Sequence, residues 1–413
     1  MSLPPPPFAH PPPHGGLGPP VHGTSPHHGW FSGYQPAPVR QRRRVLAPVA
    51  ALVIMAALIL PLIGLTVLGT GPGPVALGTF LALLPVVPVA GVFLWIDRWE
   101  PEPGRLLLMA FFWGAGVATV AALLGDFLVK LVWAAIFGTA KAGTLGLVLN
   151  APVIEEAAKG LFLLILVAVR RREFDGIVDG IVYAGLVGVG FAFTENILYL
   201  AAAFATGGFQ GGVVTFVLRC VLSPFAHPLF TAMTGLAIGV MIRSARPGRI
   251  LLPVIGYLTA VLLHALWNGS SLLLGGAGFF VVYVLVMVPI FVAMIIVVVW
   301  QRRREQRIVA THLPRFVAAG WIAPDEVRHL VSLSGRRGWR AAVKRHWGPE
   351  AAKALRDYQT AVTELAFFHD RWARGTVGRE AQQWLHDLVA NVFAARQRVL
   401  SRHPDLLAQQ RPT

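Results

Sequence analysis

The sequence predicts an all-α fold: a polytopic bundle of about eight transmembrane helices, followed by a small cytoplasmic helical appendage. The chain has 413 residues, of which 55% are hydrophobic and only 14% are charged. A soluble domain has about 25% charged residues, so this composition excludes an ordinary soluble protein. Apolar stretches of about 20 residues also recur along the chain, which is the length an α-helix needs to cross the hydrocarbon layer.

The first 44 residues are rich in proline, glycine and histidine, with proline runs at Pro4 to Pro7 and Pro11 to Pro13. Such a composition buries too little apolar surface to offset the entropy of folding. We therefore expect residues 1–44 to form a disordered cytoplasmic tail that takes no part in chemistry.

Residues 45–300 carry the stretches of transmembrane length. The predicted spans are 46–68, 75–96, 105–124, 145–169, 177–203, 213–242, 250–273 and 278–300. The segment 125–142 carries Asp126, Lys130 and Lys141 among aromatic residues, a pattern typical of an interfacial helix. Residues 301–413 are charged and helix-compatible, and predict a cytoplasmic basic region with a small core around Phe367, Phe368, Trp372 and Trp384.

Arginines flank the spans mainly on one side, which predicts that both termini are cytoplasmic. The opposite loops at 70–74, 204–212 and 274–277 contain no lysine or arginine. The cytoplasmic flanks, which we expect to contact anionic lipid, carry Arg40, Arg42 to Arg44, Arg98, Arg105, Arg170 to Arg172, Arg243, Arg246, Arg249 and Arg302 to Arg304. A chain this apolar is not expected to bind nucleic acid. The single cysteine, Cys220, excludes an intrachain disulfide and a multi-cysteine zinc site.

Two adjacent glutamates, Glu155 and Glu156, lie inside the fourth predicted span, with Lys159 one helical turn later. A carboxylate at that depth costs about 3 kcal/mol, so ionisable groups there indicate a functional site. Lys159 can reach either carboxylate, at a spacing of four or three residues. Neighbouring helical residues point in different directions, so we expect one glutamate to act in chemistry and the other to support it.

Polar residues also lie in the next three spans: Glu195 and Asn196 in the fifth, His227 in the sixth, and His264 and Asn268 in the seventh. With a rise of about 1.5 Å per residue, the acids and histidines all fall roughly 20–27 Å from the cytoplasmic edge. Histidines and carboxylates suit a catalytic divalent metal such as zinc, with a further glutamate as general base. The same residues also suit a buried ion network that fixes helix packing, or a proton relay.

These motifs resemble the PrsW family of intramembrane metalloproteases, over residues 45–300. The matching residues are Glu155, Glu156 and Lys159, then Phe191, Glu195 and Asn196, then His227, then His264 and Asn268, together with the loop from Asp97 to Pro103. The family looks related to type II CAAX prenyl endopeptidases and bacteriocin-processing homologues. That wider group has arginine after the glutamate pair and histidine in the second motif, where this chain has Lys159 and Glu195.

The resemblance implies an endopeptidase of a bacterial plasma membrane that cleaves membrane-anchored proteins, an anti-sigma-type factor being one such substrate. The predicted depth of the polar residues adds the expectation that cleavage occurs near the extracytoplasmic side. We expect Glu155 and Glu156 to be catalytic and His227, His264 and Glu195 to bind the metal. Lys159, Asn196 and Asn268 are expected to support them. Three alternatives use the same residues: a metal-free glutamate protease, a proton- or ion-coupled transporter, and a non-catalytic scaffold.

Overall fold

A computed structural model describes residues 46–171, 173–272, 276–378 and 381–402. Within these ranges all regular secondary structure is helical, which confirms the predicted all-α fold. The tail predicted for residues 1–44 lies outside the described residues.

The first half of the membrane core contains seven α-helices, two of which are entered through wide π-helical turns at Trp113–Ala118 and Gly146–Asn150. Gly71 and Gly138 end the second and fifth helices with φ of 89° and 83°, a conformation that favours glycine. The seven helices are α1 Leu46–Ala57, α2 Ile59–Thr70, α3 Pro72–Ile96, α4 Gly104–Phe112, α5 Thr119–Phe137, α6 Thr139–Leu145 and α7 Ala151–Val169.

The second half begins with a long helix that bends back on itself at Gly208, where the backbone is not helical. This bend lies in the predicted loop 204–212. A π-helical turn at Val217–Leu222 connects it to the next helix. The helices are α8 Ile177–Phe216, α9 Ala226–Arg243, α10 Leu252–Ser270, α11 Gly278–Val282, α12 Val288–Ala318, α13 Val327–Leu330, α14 Leu333–Ala373 and α15 Ala381–Arg402.

Six helical segments of the described chain are long and apolar enough to cross a membrane, and the protein is an integral membrane protein. One of them, Ile177–Arg243, contains two of the predicted spans. Helix α7 is not among the six, because it contains three charged residues. The six are Pro48–Thr70, Pro72–Ile96, Gly104–Phe137, Ile177–Arg243, Arg249–Ser270 and Gly278–Ala318. The count of eight spans stays a prediction. The segment 125–142 differs from the expected interfacial helix, because its apolar residues continue α5 as far as Phe137.

Glycines on α8 allow its neighbours to approach closely. A Cβ atom at Gly190 would lie 1.9 Å from the carbonyl oxygen of Phe111 on α4. At Gly188 it would lie 2.6 Å from Cα of Pro228, which follows His227 on α9. Small residues serve this purpose at many membrane helix contacts. The packing at Gly188 therefore sets the distance between His227 and α8.

We expect Gly188→Ala to destabilise the protein by about 1–3 kcal/mol, because the added methyl group overlaps α9. The substitution should also displace His227. Gly91→Ala is a matched control, since a Cβ on that glycine of α3 meets no atom within 4 Å. Thermal unfolding of the two variants in detergent compares them directly, and equal midpoints would contradict this packing.

The end of α12 packs with α13, α14 and α15 around a separate hydrophobic core, which contains Phe367 and Phe368 of the four aromatic residues expected there. The other two, Trp372 and Trp384, are partly buried and pack against this core. Trp99, from the loop between α3 and α4, is inserted into the same core and is 4% exposed. Ion pairs add to this contact: Arg243 at the end of α9 lies 3.2 Å from Asp370, and Asp175 just before α8 lies 3.5 Å from Arg371. The C-terminal helices therefore contact the ends of the two central membrane helices. Their cytoplasmic location stays a prediction.

Candidate active site

Four helices bring six ionisable side chains together inside the protein. Glu155, Glu156 and Lys159 project from α7, and they meet Glu195 of α8, His227 of α9 and His264 of α10. Five of the six residues are buried, and the sixth, Glu195, is partly buried. This cluster, called the acid–histidine cluster below, lies within an otherwise apolar bundle.

Glu156 is the innermost carboxylate of the cluster, with no solvent exposure. Its Oε1 accepts a hydrogen bond from Nζ of Lys159 at 2.9 Å and lies 3.0 Å from Nδ1 of His264. Its Oε2 accepts a hydrogen bond from the hydroxyl of Thr231 at 2.9 Å. Both oxygens are thus occupied, and Glu156 holds Lys159 and His264 in place. Sequence reasoning missed Thr231, because a threonine one turn after His227 carries no distinctive signal.

The ring of His264 is held by contacts at both of its nitrogens and by stacking on one face. Because a carboxylate oxygen of Glu156 accepts only, Nδ1 of His264 carries the proton of that contact and Nε2 has the free lone pair. Nε2 lies 3.8 Å from Oε2 of Glu155. The ring of Phe230 stacks on the imidazole at a centroid distance of 5.0 Å. A carboxylate behind the imidazole in this way is typical of histidines that bind metals.

Glu155 faces a different direction from Glu156, as adjacent helical positions require. Its Oε2 lies 3.2 Å from Nζ of Lys159 and points to His264. Its side chain is 11% exposed, whereas that of Glu156 is 0% exposed. Glu155 is therefore the member of the pair that is open to another molecule.

His227 bridges the α7 and α8 parts of the cluster. Its Nδ1 lies 3.2 Å from Nζ of Lys159, and its Nε2 lies 2.7 Å from Oε2 of Glu195. An ammonium group can only donate, so Nδ1 accepts and Nε2–H donates to Glu195. Lys159 also lies 3.7 Å from the ring centroid of Phe191, a cation–π contact that helps to bury the charge.

Among the described residues, the group able to hold a metal ion is formed by Glu155, His227 and His264, whose ligand atoms lie within 4.8 Å of one another. Glu195, the predicted third ligand, is not in this group, because its carboxylate contacts His227 and Arg219. Two imidazoles and one carboxylate form a known ligand set of catalytic zinc, which leaves a position open. These three ligands and the orientation of His264 thus fit a zinc-like ion. Such an ion would compete with Lys159 for contacts with Glu155 and His227.

Arg219 is a second residue that sequence reasoning missed. It lies in the π-helical turn Val217–Leu222, pairs with Glu195, and donates from Nε to Oδ1 of Asn196 at 2.8 Å. Its guanidinium also lies 4.0 Å from the ring centroid of Tyr199. An arginine within a predicted span was the available signal, since ionisable groups there are rarely incidental.

Asn268 does not contact the acid–histidine cluster in the described structure. Its Nδ2 donates to the carbonyl oxygen of Leu147 at 3.0 Å, so it ties α10 to the turn that precedes α7. Asn196 reaches the cluster only through Arg219. The two asparagines expected to support the site therefore differ in how closely they approach it.

A model of the PrsW family intramembrane metalloproteases matches residues 102–294, which include all six residues of the acid–histidine cluster. This segment is therefore similar to the PrsW family. A curated relative, Protease PrsW of Geobacillus kaustophilus (strain HTA426), is 32% identical over 155 residues. That match covers 38% of this chain and 62% of the relative.

Two further relatives are similar to part of this chain. Protease PrsW of Clostridioides difficile (strain 630) is 30% identical over 158 residues, covering 38% of this chain and 63% of the relative. Protease PrsW of Bacillus subtilis (strain 168) is 26% identical over 199 residues, covering 45% of this chain and 78% of the relative. The chain thus spans less than two thirds of the first two relatives. No solved structure matches.

Proposed function

We propose that this protein is an intramembrane endopeptidase that hydrolyses membrane-associated protein substrates. The observation that carries the proposal is the acid–histidine cluster, in which two imidazoles and a partly open carboxylate meet inside an apolar bundle. The match of residues 102–294 to the PrsW family model and the relatives named Protease PrsW support this activity.

In this proposal His227, His264 and Glu155 hold a divalent cation, with zinc favoured by the ligand types. A cation bound there would polarise the scissile carbonyl group and lower the pKa of water. Glu155 replaces Glu195 as the third ligand of the sequence prediction, because Glu195 is engaged by His227 and Arg219.

The protein's own groups divide the remaining work. Glu155, the less buried member of the pair, would offer one carboxylate oxygen to the cation, and its other oxygen accepts the proton of the attacking water and passes it to the leaving amine. Glu156 keeps His264 in the tautomer whose Nε2 lone pair faces Glu155. Lys159 neutralises part of the charge of both glutamates and fixes their separation.

The location of cleavage follows from the predicted topology, and the substrate class from the resemblance to the PrsW family. With both termini cytoplasmic, the acid–histidine cluster lies in the outer half of the bilayer, so cleavage occurs near the extracytoplasmic side. The substrate class is a membrane-anchored protein, of which an anti-sigma-type factor is one example. The membrane is a bacterial plasma membrane, as the bacterial sources of the relatives suggest, and anionic lipid contacts the basic cytoplasmic flanks.

One observation favours a second candidate, a proton-coupled transporter. Contacts run without interruption through Arg219, Glu195, His227, Lys159 and Glu156 to His264. Chains of this kind also conduct protons in pumps and transporters.

The test is a liposome assay that follows cleavage of a membrane-anchored reporter together with proton flux. We expect cleavage that a strong chelator removes and added zinc restores, without proton flux. Chelator-resistant cleavage that still needs Glu155 would replace the metal mechanism by a metal-free glutamate mechanism. Proton flux without cleavage would establish the transporter instead.

A further inference from the structure

Arg219 lies in apolar surroundings, where a charged side chain is energetically unfavourable. Its neighbours in the turn Val217–Leu222 are apolar, apart from Cys220, and its side chain is only 23% exposed. Arginine at the centre of a membrane helix costs about 3 kcal/mol on insertion scales. The helix widens at this turn and then breaks, with Ser223 at φ −125° and ψ 37°, before α9 begins at Ala226. This local geometry turns Arg219 towards one face of α8.

The guanidinium of Arg219 contacts three residues on that face of α8. It pairs with the carboxylate of Glu195, donates from Nε to Oδ1 of Asn196 at 2.8 Å, and lies over the ring of Tyr199 at 4.0 Å. These three partners are at positions i, i+1 and i+4 of the helix. A planar, forked guanidinium can make these contacts together, whereas the compact ammonium of lysine cannot.

The oxygen of Glu195 that pairs with Arg219 is also the oxygen that contacts His227. Oε2 lies 2.7 Å from Nε2 of His227, which therefore carries a proton. That leaves Nδ1 of His227 with its lone pair, 3.2 Å from Lys159 and on the side of Glu155. A carboxylate that orients a histidine in this way is usually fixed by its own partners.

We propose that Arg219 is a positioning residue: by fixing Glu195 it sets the tautomer of His227 and presents Nδ1 to the centre of the site. The inference rests on the proposed function, which it deepens by naming what holds His227. Arg219 acts through Glu195 and does not touch the reacting atoms.

The direct test observes the tautomer of His227 by ¹⁵N NMR of protein labelled at histidine. The His227→Ala variant identifies the signal to follow. We expect the parent to show His227 protonated at Nε2. Because Lys159 still donates to Nδ1 in Arg219→Gln, this variant should keep that tautomer as its main form, with a shifted Nε2 signal and a minor population protonated at Nδ1. An unchanged His227 signal in Arg219→Gln would overturn the proposal, and this readout is independent of whether the protein cleaves anything.

Measurements of zinc binding and catalysis distinguish a positioning role of Arg219 from a role in packing alone. Arg219→Gln is expected to weaken zinc binding by about 10–100-fold, the usual effect of losing a group behind a metal ligand, and to lower kcat with KM within about twofold. Arg219→Lys keeps the charge without the fork and should recover only part of the loss. Reduced thermal stability with parental zinc affinity and kcat would show that Arg219 only supports packing, and would overturn the proposal. Absence of cleavage in the parent would instead reject the proposed function.

Discussion

Replacing Glu155 with glutamine is expected to lower kcat for cleavage by about 10²–10⁴-fold, the range for losing a general base, and also to weaken zinc binding because Glu155 is a proposed metal ligand. Glutamine keeps the size of the side chain but cannot accept the proton of water. The carboxylate of Glu155 is 11% exposed and Glu156 remains to pair with Lys159, so the variant should stay folded. Cleavage of a membrane-anchored reporter in liposomes measures the effect, with thermal unfolding as the check on folding.

Glu156→Gln is the matched comparison, since it makes the same chemical change at the next residue. Glu156 is enclosed by Lys159, Thr231 and His264, so its loss should reduce stability and zinc affinity as well as activity. The two variants should therefore differ in stability more than in activity. If Glu155→Gln cleaves like the parent while Glu156→Gln remains stable and inactive, the assigned roles are reversed.

Lys159→Met is expected to destabilise the protein by about 3–5 kcal/mol, the usual result of removing one partner from a buried ion pair. Lys159 has no solvent exposure, and its ammonium contacts Glu155 at 3.2 Å and Glu156 at 2.9 Å. Methionine fills a similar volume but leaves two buried carboxylates without their nearest positive charge. Unfolding in mixed detergent and denaturant measures the loss.

Lys130→Met provides the control for this prediction. Lys130 also pairs with an acid four residues away, Asp126 at 2.6 Å, but its side chain is 42% exposed. Because this pair is partly exposed and lies apart from the acid–histidine cluster, Lys130→Met should lose less stability than Lys159→Met. Similar losses for the two lysines would contradict the view that Lys159 neutralises a buried cluster.

The helical bundle and the meeting of the polar residues could be predicted because both depend on regular geometry. Apolar length defines the spans, and a fixed rise per residue places Glu155, His227 and His264 at one depth. The structure brings one ligand atom of each of these three side chains within 4.8 Å of the others. The predicted core around Phe367 and Phe368 is likewise observed, because dense aromatic residues in a charged region have few other places to pack.

The finer assignments depended on side-chain directions that spacing does not determine. Residue type and depth predict Glu195 as a metal ligand, but in the structure Glu195 pairs with Arg219. Arg219 comes close to it because of the irregular turn before α9. Asn268 shares a helix face with His264, yet its amide bonds to the carbonyl group of Leu147. The exposure of Glu155 relative to Glu156 is also a consequence of packing around α7, which the sequence of that helix alone does not reveal.

The most direct test of the proposed hydrolysis is mass spectrometry of a membrane-anchored reporter after incubation with the reconstituted protein in H₂¹⁸O. We expect one new carboxyl terminus, within or next to the reporter's apolar segment, that carries a single ¹⁸O atom. The product should be absent with Glu155→Gln and with His264→Ala. No product from the parent, or the same labelled product from both variants, would contradict hydrolysis by the acid–histidine cluster.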